Sequence, residues 1–151
     1  MTDSIDEQLV KLLGQDARQN SETLAKQLNI SSATVRRRLR KLLRNDLLRI
    51  VGVVDPAKFG FPVTVVITLD IANDKLESAM EKLAEMPQIR WISTTTGRFD
   101  IIALARFRSN SNFSEFMKKD MAQIDGLKNS ETLICLDVNK GNYIQFTLRG
   151  S

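Results

Sequence analysis

The apolar residues of this chain keep two different periods. Through the first 45 residues they recur every three or four positions, as on one face of a helix. From Val63 they recur at every second position, through Val65, Ile67, Leu69 and Ile71, as on one face of a strand. These periods belong to different backbone geometries, so one pattern cannot continue into the other. An all-helical region should therefore be followed by an α+β region. The 151 residues allow one ordinary domain or two small ones. The expected organisation is a helical domain over 1–50, a linker strand and hinge over 51–61, and a second domain over 62–151.

In Ser4–Gln15, Ile5, Leu9, Leu12 and Leu13 share a helix face, and Ser4 with Glu7 suits a capping box. A polar break over 16–20 follows. A short helix is expected from Ser21, with Leu24, Ala25 and Leu28 apolar. "NIS" (Asn29–Ser31) then breaks the pattern before a third helix. Two short helices joined by so tight a break, after a stabilising first helix, is the arrangement of a helix-turn-helix. "LLRIVGVVDP" (Leu47–Pro56) reads as a strand, either a wing or a link.

The second region alternates. A strand over Val63–Ile71 precedes a helix over Asp74–Met86, with Leu76, Met80, Leu83 and Ala84 inward and Pro87 as the stop. Two strands, Ile89–Thr96 and Asp100–Phe107, are separated by "GRF". A loop over Ser109–Asn112 leads to a helix over Ser114–Ile124, with Phe113 just before it. A strand over Glu131–Val138 and one more over Asn142–Leu148 complete the chain. The order β-α-β-β-α-β is the ferredoxin-like arrangement with an added strand. Asp100–Phe107 is apolar on both faces, through Ile101, Ala103, Ala105 and Phe107 on one side and Ile102 and Leu104 on the other. A sheet with helices on one face only should leave the other wet, so the apolar second face predicts a homodimer.

The third helix is the distinctive one. In "SSATVRRRLRKLLRN" (Ser31–Asn45), a step of about 100° per residue gathers Val35, Leu39, Leu42 and Leu43 within about 80° of one another. Arg36, Arg37, Arg40, Lys41 and Arg44 fall on the opposite face, and Arg38 sits beside the apolar stripe. A solvated helix face usually mixes signs, but residues 33–45 contain no acid. Cations so concentrated repel one another unless an anion relieves them. Residues 1–60 hold eleven Lys/Arg against seven Asp/Glu, whereas residues 61–151 hold eleven of each. All the excess positive charge therefore lies in the helical region, which points to phosphate as its partner. The small residues Ser31, Ser32, Ala33 and Thr34 at the helix start permit close approach to base edges of double-stranded DNA. Arg36, Arg37, Arg40 and Lys41 suit phosphates or guanine. Arg38 is expected to pair with a carboxylate inside its own domain.

Composition removes several alternatives. There is no histidine, hence no Ser-His-Asp or Cys-His catalysis and no histidine-ligated zinc. The single cysteine, Cys135, has no internal disulfide partner and is expected in the core. No catalytic residue, metal ligand set or cofactor is indicated. No apolar run approaches the ~20 residues needed to cross a bilayer, and the acidic start argues against a secretory signal. A cytoplasmic protein without membrane association is expected. An RNA-binding sheet would need exposed aromatics on its central strands. Val63–Ile71 has none, and Asp100–Phe107 has only Phe107 at its end.

Four stretches, "DEQLVKLLGQDAR" (Asp6–Arg18), "LAKQLNISSATVRRRLRKL" (Leu24–Leu42), "VGVVDPAKFG" (Val51–Gly60) and "TGRFD" (Thr96–Asp100), resemble the Lrp/AsnC (feast/famine) transcriptional regulators in the right order along the chain. The resemblance implies a winged helix-turn-helix followed by a ferredoxin-like βαββαβ sensing and assembly domain of the RAM or ACT-like kind. It implies dimers that often assemble further, commonly to octamers. It implies that Ser32–Lys41 reads DNA, that Arg18 sits by the DNA backbone, and that a small effector, an amino acid, binds near Thr96, Gly97, Arg98, Phe99 and Asp100. Asp100 would accept from the effector's ammonium, and N–H groups around Gly97 would hold its carboxylate. Read from the residues alone, the same loop is a tight β-turn. Two positions depart from the family pattern. Asp46 stands where a glycine usually follows the recognition helix; Asn45 or Asp46 can take the left-handed conformation instead, at some cost. Arg98 places a cation in the loop, which suits an acidic effector, or an altered or empty site.

Overall fold

A computed structural model describes residues 3–142 and 144–145. The chain divides into two compact units, Met1–Gly52 and Val53–Ser151. Residues 53–61, expected within the linker, fall in the second unit.

The first unit is three helices, α1 (Ser4–Gln15), α2 (Ser21–Leu28) and α3 (Ser32–Arg44). The cap of α1 is Asp3 rather than Ser4: its carboxylate accepts from the N–H groups of Ile5 and Asp6. An aspartate one residue earlier satisfies the same orphan donors and adds a negative charge at the helix's positive end. Asn20 caps α2 in the same way. Leu9, Leu13, Leu24, Ala25 and Val35 form the core, with Ile30 and Leu39 packed against it. Leu43, expected in the buried stripe, is 43% exposed. Among the described residues of the first unit, no element packs over that edge of α3.

The turn between α2 and α3 is short because Asn29 adopts the left-handed conformation (φ 52°). Its successor Ile30 then donates to Ala25 O and folds its side chain into the core. Asp46 (φ 53°) ends α3 in that same conformation, in place of glycine. No wing follows. Of Leu47–Pro56 only β1 (Val53–Val54) is a strand, and it pairs with β6 (Ile144–Gln145) of its own unit. Of the last expected strand, residues 143 and 146–148 lie outside the described residues.

The second unit is built on a four-stranded antiparallel sheet of order β3-β4-β2-β5, comprising β2 (Val63–Ile71), β3 (Ile89–Thr94), β4 (Ile101–Phe107) and β5 (Leu127–Ile134). Helices α4 (Leu76–Glu85) and α5 (Asn110–Lys119) contribute to the same core. Val65, Ile67, Leu69 and Ile71 of β2 and Ile101, Ala103, Ala105 and Phe107 of β4 are buried with Leu83 and Phe116. On α4 it is Ala79, not Ala84, that is buried.

Two boundaries differ from expectation. Helix α5 starts four residues early because Ser109 caps it, accepting from Asn112 N. Phe113 is thus inside the helix, its ring 5.3 Å from that of Phe107. Strand β5 starts at Leu127, directly after Gly126 (φ 76°) turns the chain, and ends at Ile134. Cys135, expected in the core, is half-buried beyond the strand end, its N–H donating to Thr64 O.

The sheet's second face carries Val66 opposite Leu104 and Leu133, Trp91 opposite Leu104, and Ile102 opposite Thr68. Trp91 and Leu133 are 54% and 59% exposed. The apolar second face read from the strand pattern is therefore present in this chain and uncovered by its own described residues.

Candidate functional site

The turn chemistry at Asn29–Ser31 sets the start of α3. Ser31 is its N-cap, with Oγ accepting from Thr34 N at 3.1 Å and lying 2.9 Å from Thr34 Oγ1. Both hydroxyls thus already serve the helix end, and Thr34 is half-buried. Ser31 and Ala33 are exposed at the same end, with Ser32 half-buried beside them. Ser32 Oγ accepts from Arg36 Nη2 at 3.4 Å.

Further along, Val35 and Leu42 are buried while Arg36, Arg37, Arg40, Lys41 and Arg44 are all exposed. None of these five forms an ion pair among the described residues. The first turn of α3 contains no acid. The helix therefore presents an uncompensated row of cations, each with donors free to meet phosphate or base oxygens.

Arg38 alone among the arginines of α3 turns inward. Its Nη1 lies 2.6 Å from Asp3 Oδ2 and 2.9 Å from Asp6 Oδ1. Its pKa is raised above the ordinary value, chiefly by the hydrogen bonds to Asp3 and Asp6. The expected internal pairing is thus present. The partners were not named from the sequence; Asp3, the cap of α1, and Asp6, three residues on in its first turn, were the available signal. Arg18 lies in the turn before α2, its side chain 94% exposed and its Nε 3.4 Å from Asp16 Oδ1. Asp16 is held below its ordinary pKa, first by the Arg18 N–H.

The loop Thr96–Asp100 joins β3 to β4. Gly97 has φ 108°, a region closed to most L-residues, and its surroundings are open. Asp100 is half-buried and one oxygen is committed: Oδ2 accepts from Ile71 N at 2.8 Å. Its own N–H donates to Leu69 O, and Thr95 Oγ1 donates to Phe99 O at 2.8 Å. The aspartate thus ties the end of β2 to the loop. Arg98 is exposed, 2.7 Å from Glu131 Oε1 on β5 and stacked at 5.0 Å on the Phe99 ring. Glu131 is the residue here that sequence reasoning missed. It is 33 positions away, and only the pairing of β2 with β5 brings it near.

Among the described residues there is no group of His, Cys, Asp or Glu arranged to hold a metal ion, and no helix long and apolar enough to cross a membrane.

Residues 3–43 match the AsnC-type helix-turn-helix domain, and residues 64–143 match the Lrp/AsnC ligand binding domain. An uncharacterised HTH-type transcriptional regulator of Pyrococcus furiosus is 31% identical over 95% of this chain and 97% of its own length. The structure of Escherichia coli AsnC is similar with a TM-score of 0.85 and 25% identity, covering 92% of this chain and 95% of that one. A Neisseria meningitidis transcriptional regulator, solved as a complex with L-Met, shares the fold with a TM-score of 0.85 at 20% identity, over 93% of each chain. A helix-turn-helix whose third helix carries unpaired cations, followed by a βαββαβ ligand-binding unit, accounts for the whole described chain: it belongs to the Lrp/AsnC family of transcriptional regulators.

Proposed function

We propose that this regulator binds specific sites on double-stranded DNA as a homodimer and that an amino-acid effector adjusts its binding. The observation that carries this reading is the row of five exposed, unpaired cations on α3. Arg36, Arg37, Arg40 and Lys41 contact phosphates or guanines, Ser32 and Ala33 approach base edges, and Ser31 and Thr34 shape the end of the helix that enters the groove. Arg18 adds a backbone contact. The partner copy covers the apolar face around Val66, Leu104, Trp91 and Leu133, and dimers can associate further, up to octamers. Two copies of α3 then read paired half-sites.

The effector binds at Thr96–Asp100. Open space around Gly97 and the second carboxylate oxygen of Asp100 support this reading, as does the L-Met complex of the Neisseria relative. An effector that favours one assembly state shifts DNA affinity by its differential binding.

Binding to a duplex of the gene's own upstream region and to a scrambled duplex, at several salt concentrations and with or without amino acids, tests this. A large specific ratio that moves with an amino acid is expected. Equal binding to both duplexes, steep in salt and blind to amino acids, would mean an architectural DNA-binding protein instead.

A further inference from the structure

The end of the sheet remote from the Thr96–Asp100 loop gathers three arginines that have no carboxylate partner among the described residues. Arg106, near the end of β4, is 2% exposed. Its Nη1 donates to Thr64 Oγ1 at 2.9 Å and to Asn142 Oδ1 at 3.2 Å. Its Nε is buried and has no acceptor among the described residues. Arg90, at the irregular step of β3, has a buried Nε that is likewise without a partner. Arg108 is exposed just beyond β4. The guanidinium carbons of Arg108 and Arg90 lie 4.6 Å and 5.7 Å from the centroid of one ring, Phe61.

All three arginines line a single cavity of about 460 Å³. Glu115 and Asp120 also line it, but Glu115 is taken by Lys119 at 2.6 Å. A buried guanidinium without a counter-ion is unfavourable, and like charges nearby make it worse. Burial lowers the Arg106 pKa from its ordinary value and the Arg90 cation adds to this, while Cys135 and Asp55 oppose it. The direct hydrogen bonds of Arg106 go to neutral oxygens, and no carboxylate among the described residues pairs with it.

We propose that this cavity is a second ligand site, which binds a small dianion bearing carboxylate or phosphate oxygens through Arg90, Arg106 and Arg108. Planar guanidiniums suit both oxyanions, because their forked donors meet two oxygens at once. Arg108, exposed at this cavity, offers the open donors such a ligand would meet first, and Arg90 and Arg106 add their charge beside it. Phe61 fixes Arg90 and Arg108 by stacking, so little order is lost when the anion arrives. The site is separate from the proposed effector loop. Strands β3 and β4 run between the two, a separation of roughly 16 Å.

Calorimetric titration of the full chain with inorganic phosphate and with succinate, at matched ionic strength, tests the proposal. Saturable binding of at least one is expected. Arg90→Gln and Arg108→Gln should each weaken it about tenfold or more. Arg108 is exposed, so its variant keeps the test open if Arg90→Gln disturbs the fold. Arg98→Gln, and Arg36→Ala combined with Arg37→Ala, should leave it unchanged. Binding of phosphate alone assigns a phosphate-bearing ligand, of succinate alone a dicarboxylate, and of both a site for either. Saturable binding of neither, or binding that ignores Arg90 and Arg108 or depends equally on Arg98 or the α3 arginines, overturns the proposal.

Discussion

Arg38 Nη1 lies 2.9 Å from Oδ1 of Asp6, a residue 32 positions earlier that is only 5% exposed. The bond ties the inward side of α3 to the first turn of α1. Asp6→Asn should lower the thermal midpoint by leaving the guanidinium short of a charge, whereas Arg38→Met with Asp6→Leu should recover part of the loss. Asp3 shares the same guanidinium, and its pKa is held down first by the Asp6 N–H and then by Arg38. A carboxyl with a lowered folded-state value stabilises above its ordinary value and loses that contribution as pH falls through the lowered one. Arg38→Met should therefore move the acid loss of stability to higher pH, as measured by circular dichroism across an acid titration.

Arg36→Ala with Arg37→Ala should weaken DNA binding about tenfold per lost phosphate contact. The slope of log affinity against log salt should become shallower by about 0.9 for each. Sedimentation should find the oligomeric state unchanged. Unaltered affinity would remove α3 from the DNA interface.

Trp91→Lys with Leu133→Lys places two charges on the uncovered sheet face. Neither side chain belongs to the buried core. The secondary structure should persist while the dimer dissociates at least about tenfold more readily, as followed by sedimentation against concentration.

Gly126→Ala should destabilise the second unit by about 2–4 kcal/mol in urea unfolding. A Cβ at this position would meet Lys75 Cβ at 2.6 Å, and φ is 76°. Gly97→Ala, at φ 108° but with nothing within 4 Å, should cost less.

Asp100→Ala removes the acceptor of Ile71 N and should cost about 1–3 kcal/mol. Arg98→Ala breaks an exposed pair and should cost about 0–1 kcal/mol. Loss of amino-acid response in both variants would mark the loop as the effector site. Loss in Asp100→Ala alone, in proportion to its instability, would mark the aspartate as a strand tie.

The elements that depend on local pattern were legible. Strand Val63–Ile71 and the helix-turn-helix spacing follow from periodicity and turn residues alone. The misread boundaries are those where a side chain captures a nearby N–H. Asp3 displaced Ser4 as a cap, and Ser109 drew Asn110–Asn112 out of an expected loop into α5. The strand over Leu47–Pro56, read as a wing or a link, is shorter than expected because Val53–Val54 has its partner some 90 residues away, in Ile144–Gln145, and no local signal encodes that pairing. At the candidate sites the α3 cations were plain from their run and their lack of acids. Glu131 beside Arg98, and the meeting of Arg90, Arg106 and Arg108, depend on strand register, which a single sequence does not display.

The irregular step between Ile89 and Trp91 lies in an outermost strand of the sheet. A regular border strand offers an even row of N–H and C=O groups on which any extended chain can grow. A slipped residue spoils the spacing of that row. For a protein proposed to meet its copies face to face, the defect matters: it discourages endless fibre-like growth along the border and leaves self-association to the face, where it can close.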